Sequence, residues 1–400
     1  MVFNLSSCRS QSVRMQQIED SNMPKQTKNT STDYYKEGRQ RALQLGNRGP
    51  MRFKENGRLE DDILSAYHQF GFYVFTGVLD QHEIDLLSKE FDEILENAPV
   101  SPDATTDRHG RPVKFPGYYT LVPIQNETNI FDKQANEKLE FPDNPNVGLV
   151  SHPLMMMDSA LRAYGHPDIL RMVASVNGDD FVPFHEAIFH KGAGHGAPTN
   201  WHQDGRTHWK ADGSAIETAD GNGKTHGFNL SVSFSQCTPQ NCLWVVPGSH
   251  KNWRLSNGGS FPSISERIAE AVPMMLEPGD CGMVNRSSLH GSYPNKSNER
   301  RCTLLLGFHK RDSAIGTKTT NVHAFKSPST TVKDVEYSEE YVLKRARMIP
   351  LAIDARKQKY PSENAYEYTG SYIGGSKWND ASRAEISQNG DEYWQRDITL

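Results

Sequence analysis

The chain has 400 residues, a formal net charge of −5 and a hydrophobic content of 36%. This length allows one large domain with additions or two small domains, and the apolar content is sufficient for a sizeable core. The acidic balance argues against a general nucleic-acid binder, and no apolar run approaches the 18 residues that would span a bilayer. We therefore expect neither a nucleic-acid partner nor a membrane partner.

The first 55 residues are rich in Gln, Asn, Ser, Lys and Arg, and their beginning lacks the apolar core of a secretory signal. Residues 1–55 are therefore predicted to form a disordered or extended segment. The five cysteines are odd in number and show no Cys-x-x-Cys spacing. This pattern argues against a disulfide framework or a zinc knuckle, and it predicts a reducing, cytoplasmic environment.

A helix–strand–helix scaffold is predicted to follow from about residue 56. Ile63, Tyr67 and Phe70 lie at helical spacing, and "FYVFTGV" is a strand candidate. Asp80 and Glu83 then form a capping-box pattern ahead of a second amphipathic helix. No residue in this opening points to chemistry.

Two His-x-Asp pairs occur, whereas 15 His and 25 Asp in 400 residues predict about one by chance. In "GHPDILRMVASV", Pro167 suits the first position of a helix, and Asp168 its first turn beside the positive end of the dipole. His166 and Asp168 therefore have a structural explanation. The second pair, His202 and Asp204 in "NWHQDG", has no such structural explanation and is therefore a candidate site.

From residue 181 the pattern changes to short strand candidates separated by Gly, Pro and Asn. They are "FVPFHEAIF", "GFNLSVSFSQ", "LWVVPGSH", "PMMLEPGDCGMVN" and "RRCTLLLGFHK". In "GFNLSVSFSQ", apolar residues alternate with polar ones, which is typical of a half-buried strand. A series of short strands of this kind predicts a sandwich, a jelly roll or a barrel.

The chain after Arg311 is predicted to be irregular, with one helix from Ser338 to about Met348. Pro350 is expected to stop that helix. The tail "YTGSYIGGSKWND" is flexible and aromatic in character. We expect the tail around Tyr368–Trp378 and the loop 206–226 to be candidates for a lid that closes over a site.

His202 and Asp204 immediately precede the strand series, and residues two apart in extended chain point to the same face. A metal could therefore contact one imidazole and one carboxylate there. His290, at a Gly-rich turn after "CGMVN", is the candidate third ligand. Two histidines and one carboxylate suit iron(II) and oxygen activation. Zinc accepts the same ligands, so both metals stay open at this point.

A buried arginine is expected next to this candidate metal site. On a strand, Arg301 and Thr303 share one face of "RRCTLLLGF", and Arg300 points to the other. One guanidinium therefore points inward and needs an anionic partner, for which a bidentate carboxylate fits best. Because no buried acid is evident from the sequence, we expect the carboxylate of a ligand.

Three motifs in order resemble the phytanoyl-CoA dioxygenase family: His202-x-Asp204, "LWVVPGSH" at 243–250 and "HGSYPNKSNERR" at 290–301. The resemblance runs from about residue 60 to 312. It implies a mainly β fold with flanking helices and a double-stranded β-helix, or jelly-roll, core. It also implies an iron(II)- and 2-oxoglutarate-dependent dioxygenase that consumes O2. The oxygenase domain would span 56–312, and residues 313–400 would form a C-terminal helix and lid-like tail packed on the same domain.

The family's site residues transfer to this chain by position. The resemblance implies three iron ligands, which are His202, Asp204 and His290. Arg301 would pair with the distal carboxylate of 2-oxoglutarate, and Ser292 would offer that carboxylate a hydroxyl group. Gln203, between the first two ligands, would also face the cosubstrate. His250 is better explained as a turn histidine with a structural hydrogen bond than as a fourth ligand.

Several cations surround the candidate site in the sequence. Arg206, His208 and Lys210 follow Asp204, and cations near the mouth of a pocket attract anionic ligands. We therefore expect a small, polar, carboxylate-bearing substrate of secondary metabolism, with Arg206 and His208 as candidate contacts. Hydroxylation is the default reaction, with cyclisation or desaturation as other outcomes.

Other functions remain open from the sequence alone. They are an acyl-CoA hydroxylase of the same family, a jelly-roll metal-binding protein without catalysis, and a zinc hydrolase. The zinc hydrolase would leave Arg301 as an unexplained buried charge, and the intact ligand set argues against lost catalysis. The expected assembly is a monomer or a weak homo-oligomer.

Overall fold

The computed structural model describes residues 31–122, 146–204, 227–251, 262–316, 318–321, 333–336 and 338–388. The strands β1 to β14 are Arg48–Gly49, Phe72–Phe75, Tyr119–Val122, Asn146–Ser151, Phe181–Lys191, Thr199–His202, Gly227–Ser233, Leu243–Val245, Val272–Met274, Cys281–Asn285, His290–Ser292, Arg301–Lys310, Lys318–Asn321 and Lys333–Glu336. The helices α1 to α10 are Ser31–Gln44, Asp61–Phe70, Gln81–Glu96, Pro153–Met156, Asp158–Tyr164, Pro167–Asn177, Arg311–Ala314, Glu339–Ala346, Met348–Lys359 and Asp380–Gln388.

The strands from β5 to β12 build two sheets. The larger sheet has the order β1-β2-β10-β7-β12-β5-β4-β3, and the smaller has the order β6-β11-β8-β9. Of the strands β5 to β12, four are adjacent in the larger sheet, in the order β10-β7-β12-β5, and the other four form the smaller sheet. The chain therefore crosses repeatedly between two layers. This alternation is the strand order of a jelly roll. The predicted class, mainly β with flanking helices on a jelly-roll core, is confirmed.

Strand β12 shows how the sequence separates core from site. Leu304, Leu306 and Phe308 belong to the main hydrophobic core, which the helices cover. Successive side chains of a strand point to opposite faces, so Arg301 and Thr303 lie on the other side, toward the interior of the jelly roll. Both of these residues are buried. The large sheet therefore carries an apolar outer face and a partly polar inner face.

The scaffold ahead of the jelly roll follows the predicted pattern. Helix α3 begins at the predicted capping box, in which the Asp80 carboxylate accepts from the Glu83 backbone N–H and Glu83 returns the contact. Helix α6 has Pro167 in its first turn, and Nδ1 of His166 accepts from the backbone N–H of Asp168. Within the ranges given above, no helix is long and apolar enough to cross a membrane.

Helix α1 contradicts the prediction that the first 55 residues are disordered or extended. Tyr34 is fully buried, its ring stacks on Trp244 with centroids 4.7 Å apart, and its hydroxyl donates to the Ile268 carbonyl oxygen at 2.9 Å. Gly38 lets the helix approach, because a Cβ there would lie 2.4 Å from the Trp244 ring. The prediction is wrong for Ser31–Gln44, which is helical because this polar stretch is anchored by a few aromatic contacts to distant residues. Residues 1–30 lie outside the described residues.

The C-terminal segment packs against the same core. Ser338 caps α8 as predicted, but Pro350 does not stop the helical region, because it lies in the first turn of the next helix, α9, where proline is tolerated. The Arg356 guanidinium of α9 pairs with Glu83 of α3 at 2.6 Å. Trp378 and Ile386 join the main hydrophobic core. The role of Tyr368–Trp378 as a lid stays a prediction, and the loop 206–226 lies outside the described residues.

Candidate metal centre

Two imidazoles meet because of the register of the small sheet. His202 ends β6, His290 begins β11, and the two residues are direct partners in the antiparallel pairing of these strands. Their ring centroids are 4.2 Å apart. Such close cross-strand neighbours on one face bring two potential metal-ligating nitrogens together. Neither residue is adjacent to the other in sequence, so the fold creates this pair.

Asp204 completes a three-residue cluster. Its backbone N–H donates to the Arg286 carbonyl oxygen at 2.7 Å, which fixes the chain just after β6. One carboxylate oxygen, Oδ1, lies 3.2 Å from Nε2 of His202, and Oδ2 lies 3.6 Å from Nε2 of His290. One ligand atom of each residue lies within 4.8 Å of the others. The structure thus brings together the three predicted ligands.

The hydrogen bonds of the two histidines aim Nε2 at the centre of this cluster. Nδ1 of His202 lies 2.7 Å from the Asn200 carbonyl oxygen, and Nδ1 of His290 lies 2.8 Å from that of Ser288. A carbonyl can only accept, so each Nδ1 carries a proton, and in the neutral ring Nε2 keeps its lone pair. Two lone pairs and a carboxylate then converge. A cation among them resolves the repulsion, so the donor set fits a metal.

The ionisation of Asp204 and His290 agrees with metal ligation, whereas for His202 burial is outweighed by the neighbouring Asp204 carboxylate, which raises the pKa of that imidazole. Burial opposes ionisation of the Asp204 carboxyl, but His290, His202 and Arg286 outweigh it and hold its pKa below the usual range. Burial, with His202 next, lowers the pKa of His290 to about 4, so its imidazole is neutral at neutral pH. An ionised carboxylate and a neutral imidazole are the forms that bind metals.

Asn229 and Arg286 form a second layer around the carboxylate, which sequence reasoning did not assign. The Asn229 side-chain amide donates to Oδ2 of Asp204 at 2.6 Å. Arg286 in turn donates to the Asn229 side-chain oxygen at 3.2 Å and to the Asp204 carbonyl oxygen at 3.4 Å. Because Asn229 lies on the inward face of β7, strand alternation was the signal that could have pointed to it.

Two buried cations lie near Ser292, which is two residues along β11 from His290. Arg301 and Lys191 are direct partners across β12 and β5, and both are buried. Nζ of Lys191 donates to Oγ of Ser292 at 2.9 Å and to the Tyr293 carbonyl oxygen at 2.5 Å. The sequence predicted Arg301 and Ser292 at this position. Lys191 was not predicted from the sequence, although its cross-strand pairing with Arg301 places it at this position.

The remaining predicted site residues are placed as follows. Gln203 is buried, and its side-chain amide donates to the Ser287 carbonyl oxygen at 2.5 Å, so its contact with a cosubstrate stays a prediction. Arg206 and His208 lie outside the described residues. Nε2 of His250 faces the His68 carbonyl oxygen at 3.1 Å, and His250 is not part of the metal cluster. The hydrogen bond agrees with the structural role predicted for His250.

The fold and the site together define a jelly-roll metalloprotein with a two-histidine, one-carboxylate centre. The family model described as phytanoyl-CoA dioxygenase (PhyH) matches residues 67–303, which is more than half of the chain. The chain therefore belongs to the phytanoyl-CoA dioxygenase family. As a member, it is an enzyme, a non-haem iron dioxygenase that uses 2-oxoglutarate and O2 as cosubstrates.

Two relatives and one solved structure are similar to this chain. A phytanoyl-CoA dioxygenase of Arabidopsis thaliana is 24% identical over 285 residues, covering 68% of this chain and 96% of that protein. Phytanoyl-CoA dioxygenase 1 of Oryza sativa subsp. japonica is 20% identical over 263 residues, covering 62% and 89%. The crystal structure of EctD from S. alaskensis with 2-oxoglutarate and 5-hydroxyectoine has a TM-score of 0.45 and 16% identity, and the match covers 70% of this chain and 84% of that one.

Proposed function

We propose that this chain oxidises an unactivated C–H bond of a small, polar, carboxylate-bearing metabolite, converting 2-oxoglutarate and O2 into succinate and CO2. The observation that carries the proposal is the three-residue metal cluster with two buried cations, Lys191 and Arg301, on neighbouring strands. Iron bound at the cluster supplies the oxidising chemistry. His202, Asp204 and His290 hold it, and the pocket around Arg301 takes the cosubstrate.

Each residue of the site has a proposed role that follows from its position. His202 and His290 would present their Nε2 atoms to the metal, and Asp204 would supply the single negative charge of the ligand set. These three residues would hold iron(II), which would supply the oxidising chemistry together with an oxo acid and oxygen. Arg301 then orients the distal carboxylate of that oxo acid, and Ser292 offers it a hydroxyl hydrogen. Gln203 remains a proposed neighbour of the cosubstrate.

The expected reaction is hydroxylation. Asp204 would hold the metal with a carboxylate, which related halogenases replace with a small residue, so transfer of a halogen is not expected. Desaturation or ring closure differs from hydroxylation only in the fate of the substrate, and the ligand set is compatible with all three. Analysis of the product by mass spectrometry distinguishes them, since hydroxylation adds one oxygen and the other two remove two hydrogens. A chlorinated product in the presence of chloride would contradict this assignment.

The substrate class is inferred from charge. Arg206, His208 and Lys210 follow the ligand Asp204 in the chain, and such a group of cations attracts anions to a site. We propose Arg206 and His208 as substrate contacts. Acyl-CoA is the second candidate, favoured by the name that the Arabidopsis and rice relatives carry.

The buried free thiols support a reducing intracellular compartment; they are Cys237, Cys242, Cys281 and Cys302.

Substrate-stimulated release of succinate tests the proposal. The iron-loaded protein with 2-oxoglutarate and O2 is mixed in turn with amino-acid-derived acids and with acyl-CoAs. We expect stimulation by one or more of the small acids. Stimulation by acyl-CoAs alone would replace the first candidate with the second, and binding of iron without any turnover of 2-oxoglutarate would indicate a protein that has lost catalysis.

A further inference from the structure

A short turn, residues 286–288, connects β10 to the segment that leads into β11 and touches two members of the metal cluster. The Ser288 carbonyl oxygen accepts from Nδ1 of His290 at 2.8 Å. The Arg286 carbonyl oxygen accepts from the backbone N–H of Asp204 at 2.7 Å. The same turn therefore fixes the orientation of one imidazole and the position of the only carboxylate in the cluster.

Asp204 needs this support because it lies beyond the end of its strand. β6 ends at His202, and the pairing of β6 with β11 does not extend to Asp204. Arg286 contacts the Asp204 backbone on both sides. Its carbonyl oxygen accepts from the Asp204 N–H, and its guanidinium donates through Nη2 to the Asp204 carbonyl oxygen at 3.4 Å. These two contacts replace the hydrogen bonds that a sheet would give to a residue within a strand.

The side chain of Asp204 is held through Asn229. Nη1 of Arg286 donates to Oδ1 of Asn229 at 3.2 Å, and Nδ2 of Asn229 donates to Oδ2 of Asp204 at 2.6 Å. A guanidinium can only donate and an ionised carboxylate can only accept, so one orientation of the Asn229 amide satisfies both neighbours. All three residues are buried, so water competes little for these hydrogen bonds.

This network treats the two oxygens of the Asp204 carboxylate differently. Oδ2 accepts from Asn229. Oδ1 is buried, has no hydrogen-bond partner among the residues that the structure describes, and lies 3.2 Å from Nε2 of His202. A buried carboxylate oxygen without a donor is unfavourable, and a cation held by the cluster would remove that cost.

We propose that Arg286 is a positioning residue of the metal centre, which acts on the Asp204 backbone directly and on the Asp204 carboxylate through Asn229, so that Oδ1 is the oxygen turned to the metal. This inference rests on the ligand set of the proposed function and is independent of the substrate proposed there. Arg286 is not itself a member of the cluster. A change at Arg286 should therefore weaken the presentation of Asp204 without removing a ligand.

The test measures binding of cobalt(II) to the metal-free protein, because cobalt(II) accepts the same ligands and its visible absorption reports their geometry. Arg286→Met removes the guanidinium. Arg41→Met is the matched control, since Arg41 is partly buried and donates to the Ala271 carbonyl oxygen at 2.9 Å. We expect Arg286→Met to weaken cobalt(II) about 10- to 100-fold and to shift the visible bands, as for loss of an outer partner of a ligand. The control should match the parent protein in both measurements.

A double-mutant cycle with Asn229→Ala distinguishes positioning from a general loss of stability. Because both residues act on the same carboxylate, we expect Arg286→Met to weaken cobalt(II) much less in the Asn229→Ala protein than in the parent protein. Effects that multiply independently would overturn the proposal, and so would an unchanged cobalt(II) affinity in Arg286→Met. If Arg286→Met does not fold, Arg286→Gln, which keeps a neutral donor, takes its place in the cycle under the same criteria.

Arg286→Lys tests whether the geometry or the charge of the guanidinium matters. Lysine keeps the charge but lacks the rigid fork that reaches two acceptors, so its cobalt(II) affinity should stay close to that of Arg286→Met. Full recovery of the parent affinity would show that charge alone acts and would overturn the positioning role. A parent protein that binds cobalt(II) but, loaded with iron(II), turns over no 2-oxoglutarate would contradict the proposed function alone, whereas a parent protein that binds no metal would contradict both proposals.

Discussion

At the scale of single residues, the metal cluster consists of three side chains among the residues that the structure describes. Replacing His202 or His290 by Ala removes one of three donors, so we expect loss of iron(II) binding and of turnover with a largely intact fold. Iron content after gel filtration, circular dichroism and succinate release measure these effects. His109→Ala, at an exposed histidine paired with Glu96, is the matched control. Full activity of either cluster variant would refute the assignment.

A second residue-scale prediction concerns the support of Asp204. Asn229 donates to Oδ2 of Asp204 and holds the carboxylate in one orientation. We expect Asn229→Ala to lower iron(II) affinity about 10- to 100-fold, because loss of an outer partner loosens the ligand. Competition with a metal-sensitive dye measures the affinity. The control is Asn56→Ala, in an exposed turn, and equal affinities of the two variants would show that Asn229 has no such role.

At the scale of secondary-structure elements, the alternation of β12 separates two neighbouring arginines. Arg301 faces the interior, whereas Arg300 is partly exposed and pairs with Asp92 on α3. Loss of a buried charge-assisted contact costs about 2–4 kcal/mol, so Arg301→Ala should raise the Kd for 2-oxoglutarate about 30- to 1000-fold. Arg300→Ala removes only a surface ion pair and should change the Kd less than about threefold. The reverse order would mean that the strand register is wrong by one residue.

Helix α1 gives a prediction about stability. Replacing a helical glycine by alanine ordinarily stabilises a protein by about 0.5–1 kcal/mol. At Gly38 the new methyl group meets the Trp244 ring, so we expect Gly38→Ala to destabilise by about 1–3 kcal/mol instead. Gly375→Ala, where nothing lies within 4 Å of the new carbon, is the control. Urea unfolding measures both, and a more stable Gly38→Ala would show that α1 does not pack as described.

The elements also show what the sequence could and could not predict. The jelly-roll strands and the cluster of His202, Asp204 and His290 were predictable, because alternation and motif order are local signals. Helix α1 was not, since Tyr34 is buried by residues more than 200 positions away. Lys191 was missed for the same reason, because its meaning comes from its cross-strand partner. The prediction that Pro350 stops the helical region was wrong because proline can end one helix and is equally well tolerated in the first turn of the next.

At the scale of the whole molecule, an ion pair ties the C-terminal segment to the jelly roll. Arg345 of α8 pairs with Glu186 of β5 at 2.7 Å, and both are buried. Burial raises the pKa of the Glu186 carboxyl, but Arg345 and His152 outweigh it and lower it to about 2. A lowered carboxyl pKa stabilises the fold above the unfolded value, near pH 4.5, and this contribution disappears as the pH falls toward 2.

The ion pair therefore predicts an acid-sensitive step in stability. We expect the free energy of unfolding to fall by about 3 kcal/mol between pH 5 and pH 2 from this carboxyl alone. Glu186→Gln should lose about 3–5 kcal/mol at pH 7, because Arg345 is left without its anion, and should show a flatter acid dependence. Urea titrations at several pH values measure this, with Glu340→Gln at an exposed pair as control. Parallel pH profiles of parent and Glu186→Gln would contradict the prediction.

The packing of helix α1 against the small sheet has a consequence for the synthesis of the chain. The Tyr34 hydroxyl meets the Ile268 carbonyl oxygen 234 residues later and the Tyr293 hydroxyl 259 residues later. A ribosome adds about 5–20 residues each second, so roughly 10–50 s pass between the synthesis of α1 and that of the residues it contacts. During that interval its aromatic face is open to other chains. The helix is made early and docks late, so a chaperone that covers this aromatic face during translation would raise the yield of folded enzyme.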